Sequence, residues 1–248
     1  TRGVLLNDVT TSYVKYDGDT TYLYRDKPNE KIMKQMIAEF AIFANSFVGE
    51  FLKINFEGVG IFRICSASDW LRTVYSEITG EELLNEIIVN GIRADYISSV
   101  RPHDLVGSPE YCHFTSPIRR LSDCVCHYLL KYIFLKPNIP YLPIPFTNSQ
   151  LEMYSNNCMQ MTRSVKNIQY KDIKYRLLQT MKHMLINNPS ITIKYYVSSY
   201  VNSFFNIIIC NVNEHSIYVS YTLRIKNVLV EYEIKEIKTM DITIVNMT

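Results

Sequence analysis

Tyr111 to Leu130, reading YCHFTSPIRRLSDCVCHYLL, gathers two histidines, two adjacent arginines, an aspartate and three cysteines into one short stretch. Ser116 is a natural N-cap, and Pro117 is favoured at the first helical position because its missing N–H costs nothing there. The stretch therefore predicts a helix from Ser116-Pro117 to about Leu135, with Pro137 just beyond its end. Arg119 and Arg120 then fall in the first turn, against the helix macrodipole, at a cost of roughly a few tenths of a kcal/mol each. Free backbone N–H groups joined by one or two guanidinium groups would make a seat for phosphate. Asp123 lies one turn from Arg119 and can orient it. The other reading of that pair is a surface salt bridge worth under about 1 kcal/mol. Ile118, Leu121, Val125, Leu129 and Ile133 mark the inner face of the same helix.

Metal chemistry fits these residues poorly. Cys112, His113, Cys124, Cys126 and His127 cluster as zinc ligands do, but Cys124 and Cys126 are two apart on the helix and point about 200° from one another. They cannot share one tetrahedral ion while the helix persists. The closest carboxylate pairs, Asp17 with Asp19 and Glu81 with Glu82, read as turn and helix-start residues. No metal centre is expected within this chain. The six cysteines lack the spacing of a disulfide framework, and 248 residues do not need one. A reducing, intracellular compartment follows as the expectation, whether cytoplasmic, organellar or viral. Cys158 and Cys210 are expected as small buried hydrophobes. No apolar run reaches the length of a membrane span, and no signal peptide is legible. The chain opens on Thr1 rather than Met, which implies an upstream segment that was removed, processed or left out.

The elements that must position the stretch follow from periodicity. Gly3 to Tyr24 alternates around Tyr16-Asp17-Gly18-Asp19 and predicts a hairpin. Glu30 to Phe51 predicts a helix whose stripe, Ile32, Met36, Phe40, Phe43 and Phe47, faces a core. Gly80 to Asn90 predicts a short helix ended by Gly91. Asn138 to Phe146, with three prolines, is expected to be extended. Thr147 and Gln150 form a capping box for a long helix reaching about Leu185, with an inner stripe at Leu151, Tyr154, Cys158, Met161, Val165 and Ile168. Five strand-like runs follow: Ile191–Val201, Phe204–Val212, Ser216–Leu223, Val228–Ile237 and Asp241–Asn246. Such a series suits a small OB-type barrel, on which Tyr195, Tyr196, Phe204, Phe205, Tyr218 and Tyr221 would be stacking platforms and Lys194, Arg224 and Lys226 phosphate contacts. A formal charge of +2 excludes a uniformly positive surface, so a nucleic acid would have to meet local cations or rings. The 19 Tyr and 11 Phe supply rings in number, most of them needed for core and strand faces.

The unbroken run His113 to Arg120, HFTSPIRR, with Tyr111, Asp123, His127 and Leu130 at its flanks, resembles the signature segment of the RNB family, the RNase II-type 3′→5′ exoribonucleases. Ile37-Ala38-Glu39-Phe40 with Ala44-Asn45 is similar to that family's EEFM…AN helix. Ile61-Phe62-Arg63 sits where the family has an arginine-bearing run, and Ala94-x-Tyr96 with His103 is similar to its A-x-Y-S and following histidine. The resemblance covers nearly the whole chain. It implies an α+β fold, with residues 1–188 as the C-terminal part of an RNB-like domain and residues 189–248 as a five-stranded OB-type RNA-binding barrel. It implies a single RNA strand as partner, hydrolysed from its 3′ end with the help of Mg2+. The aspartate run that holds the magnesium is upstream of everything present, so the chain alone is expected to be inactive and to act with an N-terminal RNB portion or another protein chain. Arg119 matches the arginine that reaches phosphate. Arg120, Ser116, His113, Tyr96 and Glu39 are the remaining candidates for holding RNA, Glu39 at the ribose, with Asp123 and His127 supporting them from behind. Leu121 replaces a usual aromatic, Tyr128 a common arginine, and Lys166 aligns with a glutamate of bacterial relatives. These departures leave a second expectation open, a catalytically degenerate RNB-like subunit that binds RNA or serves a larger assembly.

Overall fold

A computed structural model of the chain describes residues 11–18, 20–67, 69, 73, 77–78, 80–89, 92–201, 204–224 and 236–243. Its described residues divide into two units, one within residues 29–165, the other within residues 10–28 and 166–248.

The first unit is assembled on α1 (Pro28–Asn55). Only the C-terminal half of this helix is buried, along Asn45, Val48, Gly49 and Leu52, spaced three and four residues apart. Gly49 is required there: a Cβ would stand 2.6 Å from the carbonyl oxygen of Glu110. The stripe expected to face a core does the opposite, since Ile32, Met36, Phe40, Phe43 and Phe47 are all exposed. Apolar periodicity reports an amphipathic face without saying what covers it, and in this chain the covered face is the narrower one. Strands β3 (Val59–Ile64) and β4 (Asp95–Ser99) pair antiparallel, with α2 (Gly80–Val89) between them in sequence. Leu83 and Ile87 of α2 make their own small cluster with Ala67, Ile78, Ile92 and Leu105. The main core joins Val48 and Leu52 to Ile61, Phe62, Tyr96, Cys112, Val125, Cys126, Leu129, Leu151 and Cys158.

Helix α3 (Leu121–Leu135) supplies Val125, Cys126 and Leu129 to that core, and Ile133 packs against it. It begins later than Ser116-Pro117. Ile118 is wholly exposed and Leu121 half-exposed, so the inner stripe starts at Val125. The stretch 136–146 winds through turns instead of running extended, with Asn138 N–H bonded to Leu135 O and Leu142 N–H to Ile139 O. Helix α4 (Asn148–Asn187) opens on the expected capping box: Thr147 N–H donates to Gln150 Oε1 (2.9 Å) and Gln150 N–H to Thr147 Oγ1 (3.2 Å). Leu151 and Cys158 are buried, whereas Met161, Val165 and Ile168, expected on the same inner stripe, are exposed.

In the second unit, β1 (Tyr13–Asp17) and β2 (Thr20–Tyr24) form the expected hairpin, turned at Gly18 with φ +57°. Strands β5 (Ile191–Val201), β6 (Phe204–Val212), β7 (His215–Arg224) and β8 (Lys238–Ile242) make one antiparallel sheet in the order β7-β6-β5-β8. Among the described residues this sheet is open, not a closed five-stranded barrel. Most of the expected strand Val228–Ile237 lies outside the described residues, and the last strand starts early because Lys238 pairs with Tyr195. A register shift between Lys194 and Tyr195 interrupts the alternation of β5, which buries both Tyr196 and Val197. Leu23, Leu177 and Met181 join Ile191, Ile193, Val197, Phe205, Ile207 and Ile209 in the core of this unit. Of the proposed stacking platforms, Tyr196 and Phe205 are buried, and Tyr195 and Tyr221 pack against the core. Phe204 stays exposed, as does Lys194, while Lys226 lies outside the described residues.

Candidate nucleic-acid site

The candidate site is built where the irregular segment 111–115 enters the turn ahead of α3. Two elements hold that segment by its backbone. Arg63 N–H of β3 donates to Tyr111 O at 2.7 Å. Asn45 of α1 accepts the amides of Phe114 (2.9 Å) and Thr115 (3.3 Å) on Oδ1, and its Nδ2 donates to Tyr111 Oη (2.9 Å). Neither residue stood out beyond its place in a family-like run. The signals were present, however: a lone asparagine inside an apolar helix stripe, and a lone arginine inside the apolar strand VGIFRI.

Ser116 to Arg119 then form a turn, with Arg119 N–H donating to Ser116 O at 3.3 Å. Arg120 is extended (φ −133°, ψ 123°) and caps α3 without a side-chain cap bond. Both arginines therefore precede the helix instead of lying in its first turn. The cause is Asp123, whose carboxylate is wholly buried. Its Oδ1 accepts Ser116 N–H (2.7 Å) and Arg120 Nη2 (2.9 Å), and its Oδ2 accepts Arg120 Nε (2.7 Å). The bidentate guanidinium–carboxylate pair and the Ser116 amide on the same carboxylate are charge-assisted bonds, each roughly twice as strong as a neutral amide bond, and they hold residues 116–120 in the turn. Burial pushes the Asp123 carboxyl up, but the Arg120 hydrogen bond, the Ser116 amide and the Arg120 charge outweigh it and hold it below the usual carboxylate range. Asp123 thus orients Arg120 and not Arg119, contrary to the expectation from spacing.

Arg119 projects from this turn exposed, and its guanidinium has no hydrogen bond or ion pair among the described residues. Tyr96, nearly buried, shares a 2.5 Å hydrogen bond between its Oη and His113 Nδ1. Ser122 Oγ bridges the two halves, 3.4 Å from Tyr96 Oη and 3.1 Å from Asp123 Oδ2. Burial, then the positive charges of Arg120 and Arg63, depress His113 to about 3. His103, edge-on to Tyr111 at 5.3 Å, is likewise held down to about 4, first by burial and then by Arg63. Both histidines are neutral at pH 7. His127 belongs to a different contact: it stacks on Phe114 at 4.5 Å, and its Nε2 donates to Phe114 O at 3.0 Å. Glu39 sits exposed on α1, six positions (about 9 Å of helix rise) ahead of Asn45. The structure therefore brings together Tyr96, His113, Ser116, Arg120 and Asp123, adds Asn45, Arg63 and Ser122, and leaves Glu39 and His127 outside the cluster.

The described residues contain no group of three or more His, Cys, Asp or Glu that could hold a metal ion. They do not fit a magnesium centre. Of the clustered cysteines, Cys124 Sγ donates to Pro117 O at 3.0 Å, while Cys126 is wholly buried and its thiol is hydrogen-bonded with that of Cys112. No helix of the described residues is long and apolar enough to cross a membrane.

A family profile described as "RNB domain" matches residues 3–136, more than half of the chain. The chain belongs to the RNB domain family. This RNB chain is similar in fold to the Dss1 exoribonuclease of Candida glabrata, solved as an active-site mutant, with a TM-score of 0.72 and 20% identity over 96% of this chain and 30% of that one. It is also similar to RNase R of Mycoplasma genitalium. The complex with ribose-methylated single-stranded RNA gives a TM-score of 0.62 at 19% identity, over 88% of this chain and 38% of that one. The complex with double-stranded RNA gives 0.59 at 18% identity, over 88% and 42%. The chain thus spans between about a third and two fifths of the length of these relatives. No curated protein matches it.

Proposed function

We propose that this chain is the RNA-gripping portion of an RNase II-like 3′→5′ exoribonuclease. The observation that carries the reading is the Ser116–Arg120 turn: a buried Asp123–Arg120 pair sets its shape and leaves the Arg119 guanidinium exposed and uncommitted. A guanidinium held in that state offers a planar fork to a phosphate and stabilises negative charge that develops there. Arg119 contacts the RNA phosphate. Arg120, His113 and Tyr96 hold the turn from beneath, with the Ser116 amide already taken by Asp123. Glu39, exposed on α1, is the candidate for the ribose. The magnesium-binding aspartates lie on polypeptide outside this chain, either an N-terminal RNB portion or another protein, and the metal would supply water activation and phosphate charge neutralisation there. Similarity to RNase R solved with RNA supports RNA as the partner. Residues 189–248 act as an OB-like accessory surface, with Phe204 and Lys194 its best placed contacts.

The test is digestion of a 3′-extended single-stranded RNA with magnesium, by the chain alone and by its full-length or co-purified form. Shortening from the 3′ end is expected only in the full form, and Arg119→Ala should lower its rate by roughly a hundredfold or more. RNA binding without shortening in either form makes the protein a degenerate RNB subunit. Absence of both binding and shortening overturns the reading.

A further inference from the structure

The outer face of the β1–β2 hairpin has no part in the site as described, and it belongs to the other unit. Side chains alternate between the two faces of such a ribbon. Val14 and Leu23, directly opposite one another, turn inward to the core of the second unit. The outer face therefore carries Tyr13 opposite Tyr24 and Lys15 opposite Tyr22. The rings of Tyr13 and Tyr24 meet edge-on at 5.6 Å, and Tyr22 stands edge-on to Tyr24 at 6.4 Å. Lys15 Nζ lies 3.4 Å from the Tyr24 centroid and 5.7 Å from that of Tyr13. Ring pairs across two strands steady a ribbon, but core filling would bury the rings, and Tyr22 is 41% exposed. Lys15 makes no ion pair among the described residues: Asp17, next on the same face, is exposed at the end of β1, and Asp26 accepts the Tyr13 hydroxyl at 2.8 Å. An ammonium against a ring keeps N–H donors for an anion, and an open ring can take a base. The two needs of a single nucleic-acid strand thus stand as cross-strand neighbours on one accessible face.

We propose that this face is a second contact for single-stranded RNA, with Tyr22 stacking on a base and Lys15 meeting a phosphate of the same strand. The inference rests on the reading of RNA as the partner, and its residues are separate from the Arg119 turn. Tyr13 and Tyr24 are positioning residues that hold the Lys15 ammonium by its contact with their rings. The platform has no base preference, because every base offers a ring face. It does not serve duplex RNA, whose bases are already stacked on one another.

The experiment uses the full-length protein and reads fluorescence anisotropy of a labelled oligouridylate, with a duplex RNA of the same length as control and melting temperatures to confirm folding. Tyr22→Ala should weaken binding of the single strand roughly fivefold or more without changing its salt slope, while Tyr22→Phe should bind within about twofold of wild type. Lys15→Gln should weaken binding and lower the slope of log affinity against log salt by about one. Should the alanine variant fail to fold, Tyr22→Leu keeps apolar bulk without an aromatic face and should weaken binding by itself. The losses should persist in an Arg119→Ala background, as for independent contacts. Equal affinity in wild type, Tyr22→Ala and Lys15→Gln overturns the platform, and a loss confined to Arg119→Ala in the same series leaves the RNA reading standing without it. An equal loss of duplex binding in Tyr22→Ala overturns the stacking contact. A loss in Tyr22→Ala beside normal binding by Arg119→Ala keeps the platform and removes the Arg119 contact. No RNA binding by wild type overturns both.

Discussion

Asp123 is the residue on which the site depends, because one wholly buried carboxylate serves Ser116 N–H and both arms of Arg120. Asp123→Asn should cost about 3–5 kcal/mol in chemical denaturation, since it leaves the Arg120 charge poorly paired in a largely buried place. A loss under about 1 kcal/mol would mean that solvent reaches the pair. Protonation acts in the same region with a definite sign. His103 and His113 are held at about 4 and about 3 in the folded chain, against about 6.5 when unfolded. Between those values the unfolded chain binds more protons, so stability rises with pH: it is complete above about pH 6.5 and lost as pH falls through the folded values. Asp123, also lowered, adds a loss in the same direction below the ordinary carboxylate range. Urea midpoints from pH 7 to 4 should therefore fall steadily, and His113→Gln should flatten part of that slope. The residue types of this cluster were legible in the sequence. The partner of Asp123 was not, because Arg119 and Arg120 both lie within reach of it by spacing and only the turn geometry chooses between them.

At the scale of elements, α1 teaches what periodicity omits. Its broad apolar stripe is exposed while its buried face is a short line through Gly49. Phe43→Lys should leave the denaturation free energy of this chain within about 0.5 kcal/mol of wild type, as for other exposed positions. Gly49→Ala is the opposite case: its Cβ would meet Glu110 O at 2.6 Å, and a cost of about 1–3 kcal/mol is expected from the same denaturation series. Strands β5 and β6 were legible to the residue, since β-branched and aromatic runs bounded by turn residues leave little choice. The start of α3 was not. Ser116-Pro117 carries a correct helix-start pattern, yet a side-chain carboxylate seven residues on from Ser116 bonds both its amide and the Arg120 guanidinium and holds the segment between them as a turn.

The whole molecule was legible as a family before it was legible as a shape, because the HFTSPIRR run is specific while the division between the units falls inside one uninterrupted helix, α4, whose sequence carries no break at Val165. Arg119→Ala should reduce the slope of log RNA affinity against log salt by about one, read from fluorescence anisotropy. An unchanged slope would place the phosphate contact elsewhere. All six cysteines are free, with Cys65, Cys112, Cys126, Cys158 and Cys210 buried and Cys124 alone partly open. Each hidden thiol reacts with an alkylating reagent only when its surroundings open. Five of the six sit in the first unit and Cys210 in the second. A timed alkylation followed by peptide mass spectrometry would thus make the chain its own pair of clocks, one for each half, running at the rate at which each half breathes.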